Sequence, residues 1–142
     1  MPLTNLRRSI GVVRKIRALI ADDSDIYVQR VFTLLAGLGG IEVVSRARNV
    51  PEAAEAVRHL KPDVVILDIG MPGGSGIDVL EGMNRNHETS LVIVLTNYSY
   101  AQYRKKCLQL GAGYFFDKVE LEKVAEVLRG LTGDSRRNAE FG

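Results

Sequence analysis

The sequence contains a single cysteine, Cys107, and no long uninterrupted run of apolar residues. One cysteine excludes an internal disulfide and a cysteine-based metal cluster, and it fits a reducing cytoplasm, which is the expected location. No apolar stretch approaches the roughly 20 residues of a membrane-spanning helix, so we expect no membrane partner. The basic residues near the start are not followed by the apolar stretch of a signal peptide.

A strong excess of one charge is also missing. The 142 residues carry a formal net charge of +2, with 46% hydrophobic and 25% charged residues. Such a composition is typical of a globular domain, and the small net charge predicts no nucleic-acid binding. The length is enough for one domain with a real core and too short for two ordinary ones.

Strands and helices are predicted to alternate along the chain. The predicted strands are "IRALIA" (16–21), "IEVVSRA" (41–47), "DVVILDI" (63–69), "LVIVLTN" (91–97) and the weaker "YFFD" (114–117). The third and fourth are apolar at consecutive positions, which is typical of strands covered on both faces. An amphipathic segment follows each strand, so the order predicts an α/β fold with a doubly wound, five-stranded parallel sheet.

Helix boundaries carry their own signals. Asn49 and Pro51 predict the start of the second helix, and Ser99 predicts the cap of the fourth. The predicted core-facing stripe of the first helix follows the i, i+3, i+4, i+7 pattern and consists of Val28, Val31, Phe32 and Leu35.

Polar side chains stand where the predicted strands end. Asp22 and Asp23 follow the first strand, Asp68 ends the third, Thr96 ends the fourth and Lys118 follows the fifth. In doubly wound sheets ligands gather at the carboxyl ends of the strands, so these residues are predicted to share one edge. Repulsion among three carboxylates held close together raises the pKa of at least one of them. Mg²⁺, which prefers oxygen ligands, relieves that repulsion.

The same residue types suit phosphoryl transfer. A carboxylate beside Mg²⁺ can attack phosphorus and form an aspartyl phosphate. The Lys118 ammonium, the Thr96 hydroxyl and the metal would stabilise the charge on the transferring group. Any one of these residues alone would more often be a cap or a turn residue, but their joint placement favours a shared site.

With these residues in place, residues 16–131 resemble the receiver domain of two-component response regulators. The resemblance rests on "IADD", "VVILDIGMPGGSG", "VIVLTN" and "GAGYFFDK", which occur in this order. It implies a flavodoxin-like (βα)5 receiver fold. It also implies that Asp68 accepts a phosphoryl group from the phosphohistidine of a histidine kinase or phosphotransfer protein, in a bacterial phosphorelay.

The resemblance also implies roles for individual residues. Mg²⁺ would be held by Asp23, by Asp68 and by the backbone carbonyl of Gly70, while Asp22 would act mainly through the waters of the metal. Thr96 and Lys118 would contact the acyl phosphate. The only enzymatic activity implied is that of the receiver on its own aspartyl phosphate, so we do not expect an enzyme in the wider sense.

Four positions depart from the usual family pattern. Asn97 replaces a small residue and would crowd the phosphate or hydrogen-bond to it. Val119 replaces a proline that is often cis, so a trans bond is expected here. Phe115 stands where a tyrosine switch residue is common, although it can still move together with Thr96. Gly70 has no side chain to hinder an attacking water.

The output of such a receiver would be a change in binding. Residues 1–15 are expected to be a basic extension and residues 132–142 a tail, which would leave a stand-alone receiver that signals through an unknown downstream protein. Phosphorylation would act on a monomer or produce a dimer. The predicted interface consists of Tyr98, Tyr100, Tyr103 and Arg104. The alternative is that Tyr103 belongs to the core and the basic residues form a solvated helix face.

Three other functions stay open at this point. The chain could be a binding module with a receiver fold that does not depend on phosphorylation. It could be the receiver part of a longer transcriptional regulator. It could also be an aspartyl-phosphate phosphatase of the haloacid dehalogenase type, but such enzymes place a second aspartate where this chain has Gly70.

Overall fold

Five parallel strands form one sheet in the computed structural model, which describes residues 14–133. The strands are β1 (Ile16–Ala21), β2 (Ile41–Ala47), β3 (Val64–Leu67), β4 (Leu91–Thr96) and β5 (Tyr114–Asp117). The helices are α1 (Asp25–Leu38), α2 (Val50–Leu60), α3 (Gly76–Arg85), α4 (Ala101–Gln109), α5 (Leu121–Leu131) and a 3₁₀ turn at Lys118–Glu120. Most of the predicted extension (1–13) and tail (134–142) lies outside the described residues.

The strand order is β2-β1-β3-β4-β5, and every neighbouring pair is parallel. Helices on both faces complete the predicted doubly wound α/β fold, which is confirmed. Ala21 on β1 lies opposite Leu67 on β3, and the Asp68 amide donates to the Ala21 carbonyl at 2.9 Å. The residues that follow these two strands are therefore side by side at the point where the strand order reverses, which is where such folds bind ligands.

Two apolar layers hold the sheet between its helices. All four residues of β3 are buried, as their consecutive apolar pattern predicts. On one face the sheet packs against α2, α3 and α4 through residues that include Ala53, Val57, Val79, Leu80 and Cys107. On the other face it packs against α1 and α5 through residues that include Val31, Leu35, Val124 and Leu128. Among residues 14–133, no helix is both long and apolar enough to cross a bilayer.

Two local predictions are wrong. Phe32 is 48% exposed, because the buried stripe of α1 is the narrower Val31 and Leu35 row and Phe32 lies beside it. Ser99 does not cap α4, whose first turn follows Tyr100 without a side-chain cap. The Ser99 hydroxyl instead donates to an Asp117 carboxylate oxygen at 2.5 Å, which ties the loop after β4 to the end of β5.

Other local predictions are confirmed. The Asn49 side chain accepts from the Glu52 amide at 2.9 Å, and Pro51 lies in the first turn of α2. Every peptide bond within the described range is trans, so the bond between Lys118 and Val119 is trans as expected.

Gly76 begins α3 directly against the backbone that follows β3. Its amide donates to the Ile69 carbonyl at 3.0 Å. A Cβ atom at this position would lie 2.5 Å from the Asp68 carbonyl oxygen and 2.7 Å from the Ile69 Cα atom. Because both neighbours are main-chain atoms, a side chain here would displace the segment that carries Asp68.

The two glycines of α3 provide a matched test of this contact. We expect Gly76→Ala to lower the free energy of unfolding by about 2 kcal/mol, because the added methyl overpacks fixed backbone. A Cβ at Gly82, in the same helix, would meet only an Arg85 Nη2 atom at 3.8 Å. Gly82→Ala should therefore raise stability by about 0.5–1 kcal/mol through helix propensity. Urea unfolding measures both, and equal effects of the two changes would contradict the proposed backbone contact.

Candidate functional site

The ammonium of Lys118 lies between two aspartates at the carboxyl edge of the sheet. Its Nζ atom is 2.8 Å from Asp22 Oδ2 and 3.1 Å from Asp68 Oδ2. All three side chains are less than 10% exposed. Residues that follow β1, β3 and β5 thus meet at one buried ion-pair cluster, as their placement at strand ends predicts.

The two oxygens of the Asp68 carboxylate have different partners. Oδ1 accepts from the Thr96 hydroxyl at 2.7 Å and from the Gly70 amide at 3.0 Å. Oδ2 accepts from Lys118. Thr96 is fully buried, so its hydroxyl is a fixed neighbour of the carboxylate. Donors from β4 and from the loop after β3 therefore set the orientation of the acid.

The turn after β1 positions the other two acids. Asp22 Oδ1 accepts from the Ser24 amide at 2.9 Å, and Ser24 in turn caps α1. Arg46 Nε donates to the Asp22 backbone carbonyl at 2.9 Å, while Arg46 Nη1 pairs with Asp25 at 2.9 Å. Asp23 is exposed, in contrast to the buried Asp22. The pair of adjacent aspartates therefore places one carboxylate inside the cluster and one at its solvent side.

Burial and charge act in opposite directions in this cluster. Burial raises the pKa of Asp22 above its usual value, and the hydrogen bond from Lys118 offsets only part of this effect. Burial alone would lower the pKa of Lys118, but the hydrogen bond to Asp22 and the charge of Asp68 outweigh it and raise that pKa. Lys118 is therefore a stable cation at neutral pH.

The donor set of the cluster fits a hard divalent cation. Asp22, Asp23 and Asp68 each offer a carboxylate oxygen, and these oxygens lie within 4.8 Å of one another. Carboxylate oxygens are the protein ligands that Mg²⁺ prefers. Three carboxylates face the single ammonium of Lys118, so the cluster has a net negative charge that a bound cation would neutralise.

The predicted switch and interface residues surround the loop between β4 and α4. The Tyr98 amide donates to the Thr96 hydroxyl oxygen at 3.1 Å, which connects this loop to Asp68. Phe115 is 4% exposed and belongs to the core, so it already points inward in this structure. Arg104 is an exposed residue, and its Nη1 atom donates to the Phe115 carbonyl at 3.1 Å.

The predicted interface residues do not share one environment. Tyr98 and Tyr100 are 49% and 59% exposed, whereas Tyr103 packs against the core and is only partly exposed. Asn97 is exposed and lines a surface cavity together with Lys118.

The ring of Tyr98 lies beside Gly70. A side chain at this position would collide with the ring of Tyr98, so an aromatic ring occupies the space that the glycine leaves. Gly70 itself is exposed, and the unhindered approach of water at this position stays a prediction.

Two neighbours of the cluster were missed from the sequence. The Tyr27 ring lies under the Lys118 ammonium, and Arg46 holds the Asp22 carbonyl. Tyr27 stands four residues after Asp23, which is about one turn into α1 and thus beside the same edge. That spacing was the available signal for Tyr27. Arg46 lies near the end of β2, the edge strand next to β1, where an arginine has no distinguishing pattern.

These observations define a doubly wound α/β protein with an acidic, lysine-balanced site where the strand order reverses. The response regulator receiver domain family matches residues 18–129. The chain therefore belongs to this family, and the expected receiver fold is confirmed.

Individual relatives agree with this assignment. The response regulator GacA of Pseudomonas viridiflava is 32% identical over 115 residues, which are 80% of this chain and 54% of that protein. The receiver domain of the putative response regulator NarL from Mycobacterium tuberculosis is 26% identical with a TM-score of 0.74, covering 81% of this chain and 96% of that one. A chain in the CheX-CheY-BeF3-Mg complex of Borrelia burgdorferi is 26% identical with a TM-score of 0.74. This match covers 83% of this chain and 90% of that one. The chain spans about half the length of the first curated relatives that it matches.

The charge imbalance of the cluster leads to a stability prediction. Without divalent cations, Asp22→Asn should raise the free energy of unfolding at pH 7, because it removes one of three carboxylates from a site where burial already disfavours the ionised form. Since the pKa of Asp22 is raised by folding, this gain should shrink as the pH falls through that raised pKa towards 3.8. Urea unfolding at several pH values provides the measurement.

Lys118→Met is the opposite change at the same site. It should lower the free energy of unfolding by about 3 kcal/mol, because it leaves buried carboxylates without their cation.

Added Mg²⁺ should stabilise the wild type and should stabilise Asp22→Asn less. A destabilised Asp22→Asn at pH 7, or a Mg²⁺ effect equal in both proteins, would contradict the charge imbalance.

Proposed function

We propose that Asp68 accepts a phosphoryl group from the phosphohistidine of a histidine kinase or phosphotransfer protein, and that the phosphorylated chain signals through protein–protein contacts. The main support is the Asp68 carboxylate, which is 6% exposed yet contacts both the Thr96 hydroxyl and the Lys118 ammonium. Membership of the receiver family also supports this proposal. The doubly wound fold alone would not, because it serves many functions.

The acidic cluster would hold Mg²⁺ through Asp23, Asp68 and the Gly70 carbonyl, with Asp22 acting through waters of the metal. The fit is supported by the close spacing of the three carboxylates. When bound, the cation would neutralise negative charge on the carboxylates and on the phosphoryl group, so that an anionic acid can meet an anionic donor.

The hydrogen bonds of Asp68 favour one of its oxygens as the nucleophile. Among residues 14–133, Oδ1 accepts from two neutral donors, Thr96 and Gly70, whereas Oδ2 faces Lys118, the cation that would stabilise the transferring group. Oδ2 forms the new bond to phosphorus, and the bond between phosphorus and the histidine nitrogen breaks. The electron pair of that bond stays with the leaving imidazole, which takes up a proton.

Lys118 and Thr96 supply the donors for the transferred group. The ammonium is beside Oδ2 and needs only to turn from Asp22 towards the phosphoryl oxygens. The Thr96 hydroxyl is beside the same carboxylate and can donate to the phosphoryl group in place of Oδ1. Both groups are already in position before transfer, which is the basis of electrostatic stabilisation.

A movement of Thr96 would also move the surface loop between β4 and α4. Its hydroxyl oxygen accepts from the Tyr98 amide, so a turn of Thr96 disturbs the loop that carries the exposed Tyr98 and Tyr100. We assign the output surface to this loop and to Arg104 on α4, because aromatic and arginine side chains are common anchors of interfaces. Phe115, buried beneath, would adjust its packing as Thr96 moves rather than swing in from solvent.

A second way of acting is supported by the curated relatives. The matched part of GacA is only 54% of that protein. In a longer regulator of this kind, the same loop and helix α4 would contact an effector segment of the same protein instead of a separate partner. The chemistry at Asp68 would be unchanged.

Phosphorylation of Asp68 can be tested by mass. Incubation with Mg²⁺ and acetyl phosphate should add one phosphoryl group to the wild type, and a phosphohistidine donor replaces acetyl phosphate if the small donor does not react. Asp68→Asn should add none, because it lacks the nucleophilic oxygen, and omission of Mg²⁺ should abolish the adduct.

Asp63→Asn is the matched control, since Asp63 immediately precedes β3 and lies at the opposite end of the same strand. This variant should react like the wild type. Absence of an adduct with both donors in a folded protein would overturn the proposal, as would equal labelling of Asp68→Asn.

A further inference from the structure

We propose that Tyr27 is a positioning residue for Lys118, and that it holds both the backbone and the ammonium of this lysine where phosphoryl transfer needs them. The inference rests on the proposed function, because that function gives Lys118 its task. Tyr27 itself would not touch the phosphoryl group and acts only through the lysine.

Two separate contacts join these residues across 91 positions of sequence. The Tyr27 hydroxyl donates to the Lys118 backbone carbonyl at 2.7 Å. The Lys118 Nζ atom lies 4.6 Å from the centroid of the Tyr27 ring. One side chain therefore fixes the main chain at Lys118 and also offers its negative ring face to the charge at the end of the lysine side chain.

The surroundings of Lys118 explain why such a contact matters. The residue begins a single 3₁₀ turn immediately after the four-residue edge strand β5. The next residue, Val119, is 89% exposed and contributes little packing. Hydrogen bonds between Asp117, Val119 and Glu120 close the turn, but none of them reaches the Lys118 side chain. A lysine has many rotamers, and here its ion pairs with Asp22 and Asp68 and the contacts from α1 restrict them. The contacts from α1 thus add a restraint on Lys118 that its own turn does not supply.

Tyr27 is well placed for this task. Its amide is capped by the Ser24 hydroxyl at 3.3 Å, and the Ser24 amide donates to Asp22. The ring packs partly buried against the core layer beneath α1 and α5. Burial and the nearby Asp22 charge raise the pKa of the phenol to about 12, so the hydroxyl remains a donor at physiological pH. The same turn of α1 therefore orients an acid of the cluster and restrains its lysine.

The two contacts can be separated by substitution. Tyr27→Phe keeps the ring and removes the hydrogen bond, whereas Tyr27→Leu removes both. Tyr114→Phe and Tyr114→Leu are the matched controls, because Tyr114 is a half-exposed tyrosine at the start of β5 and stacks on Phe116 away from the strand end. Each protein is assayed for its maximal rate of Asp68 phosphorylation by acetyl phosphate, its Mg²⁺ affinity and its urea unfolding.

We expect the maximal rate to fall about 3-fold in Tyr27→Phe, which loses one hydrogen bond. It should fall about 10-fold in Tyr27→Leu, which loses both the hydrogen bond and the cation–π contact. Mg²⁺ affinity should stay within about 2-fold, because the carboxylates that would hold the metal are unchanged. Unchanged rates in both variants would overturn the inference. So would a rate loss matched by an equal loss of Mg²⁺ affinity or of the folded fraction, which would indicate general damage.

A nuclear magnetic resonance readout is independent of phosphorylation. The ring of Tyr27 should shift the Lys118 CεH₂ protons upfield, and this shift should persist in Tyr27→Phe and vanish in Tyr27→Leu. If the wild type is not phosphorylated at all, the proposed function fails, and the shift alone decides whether Tyr27 holds the lysine. A Lys118 signal that is the same in Tyr27→Leu as in the wild type would exclude the contact in solution.

Discussion

The ion pair of Lys118 with Asp22 and Asp68 is the interaction on which the rest of the site depends. Lys118 follows β5, yet β5 is separated from β3 by β4 and from β1 by two strands. The lysine side chain must therefore reach across the end of β4, where Thr96 is fully buried. This reach brings four strand ends into one cluster, and without it the carboxylates of Asp22 and Asp68 would be buried without a cation.

The cluster carries more negative than positive charge, and this imbalance favours the binding of a cation. Three carboxylates share one ammonium, and burial raises the pKa of Asp22. Functional sites commonly sacrifice local stability in this way, and the cost is offset when a cation or a substrate binds. The apolar layers on both faces of the sheet supply the stability that permits it. The same sheet thus provides a rigid support and an edge where buried carboxylates outnumber their cation.

Most of the fold was predictable because its signals are local. The bounds of β1, β2 and β5 agree with the apolar runs, and β3 and β4 differ only at their ends. The cluster was predictable for a related reason, since parallel strands must end at a common edge. Ser99 was misread because a serine before a helix is usually its cap, whereas here a carboxylate from β5 competes for the same hydroxyl.

The contacts that refine the site were not predictable. Tyr27, Tyr98 and Arg46 act through tertiary contacts between distant segments, and their residue types have ordinary explanations on a helix, a loop or a strand. The space beside Gly70 illustrates the limit, because the sequence reveals a missing side chain but not the tyrosine ring that takes its place. Side-chain packing across elements decides such details, and a one-dimensional pattern does not encode it.

The most direct test of this account is a crystal structure with Mg²⁺ and beryllofluoride, a mimic of the phosphoryl group. The account predicts beryllofluoride joined to the Asp68 carboxylate, with the Lys118 ammonium and the Thr96 hydroxyl turned from their present partners to its fluorine atoms. It also predicts a changed position of the Tyr98 loop. An unmodified Asp68 that still pairs with Lys118 and Thr96 under saturating conditions would contradict the claim that this ion-pair cluster is a phosphoryl-transfer site.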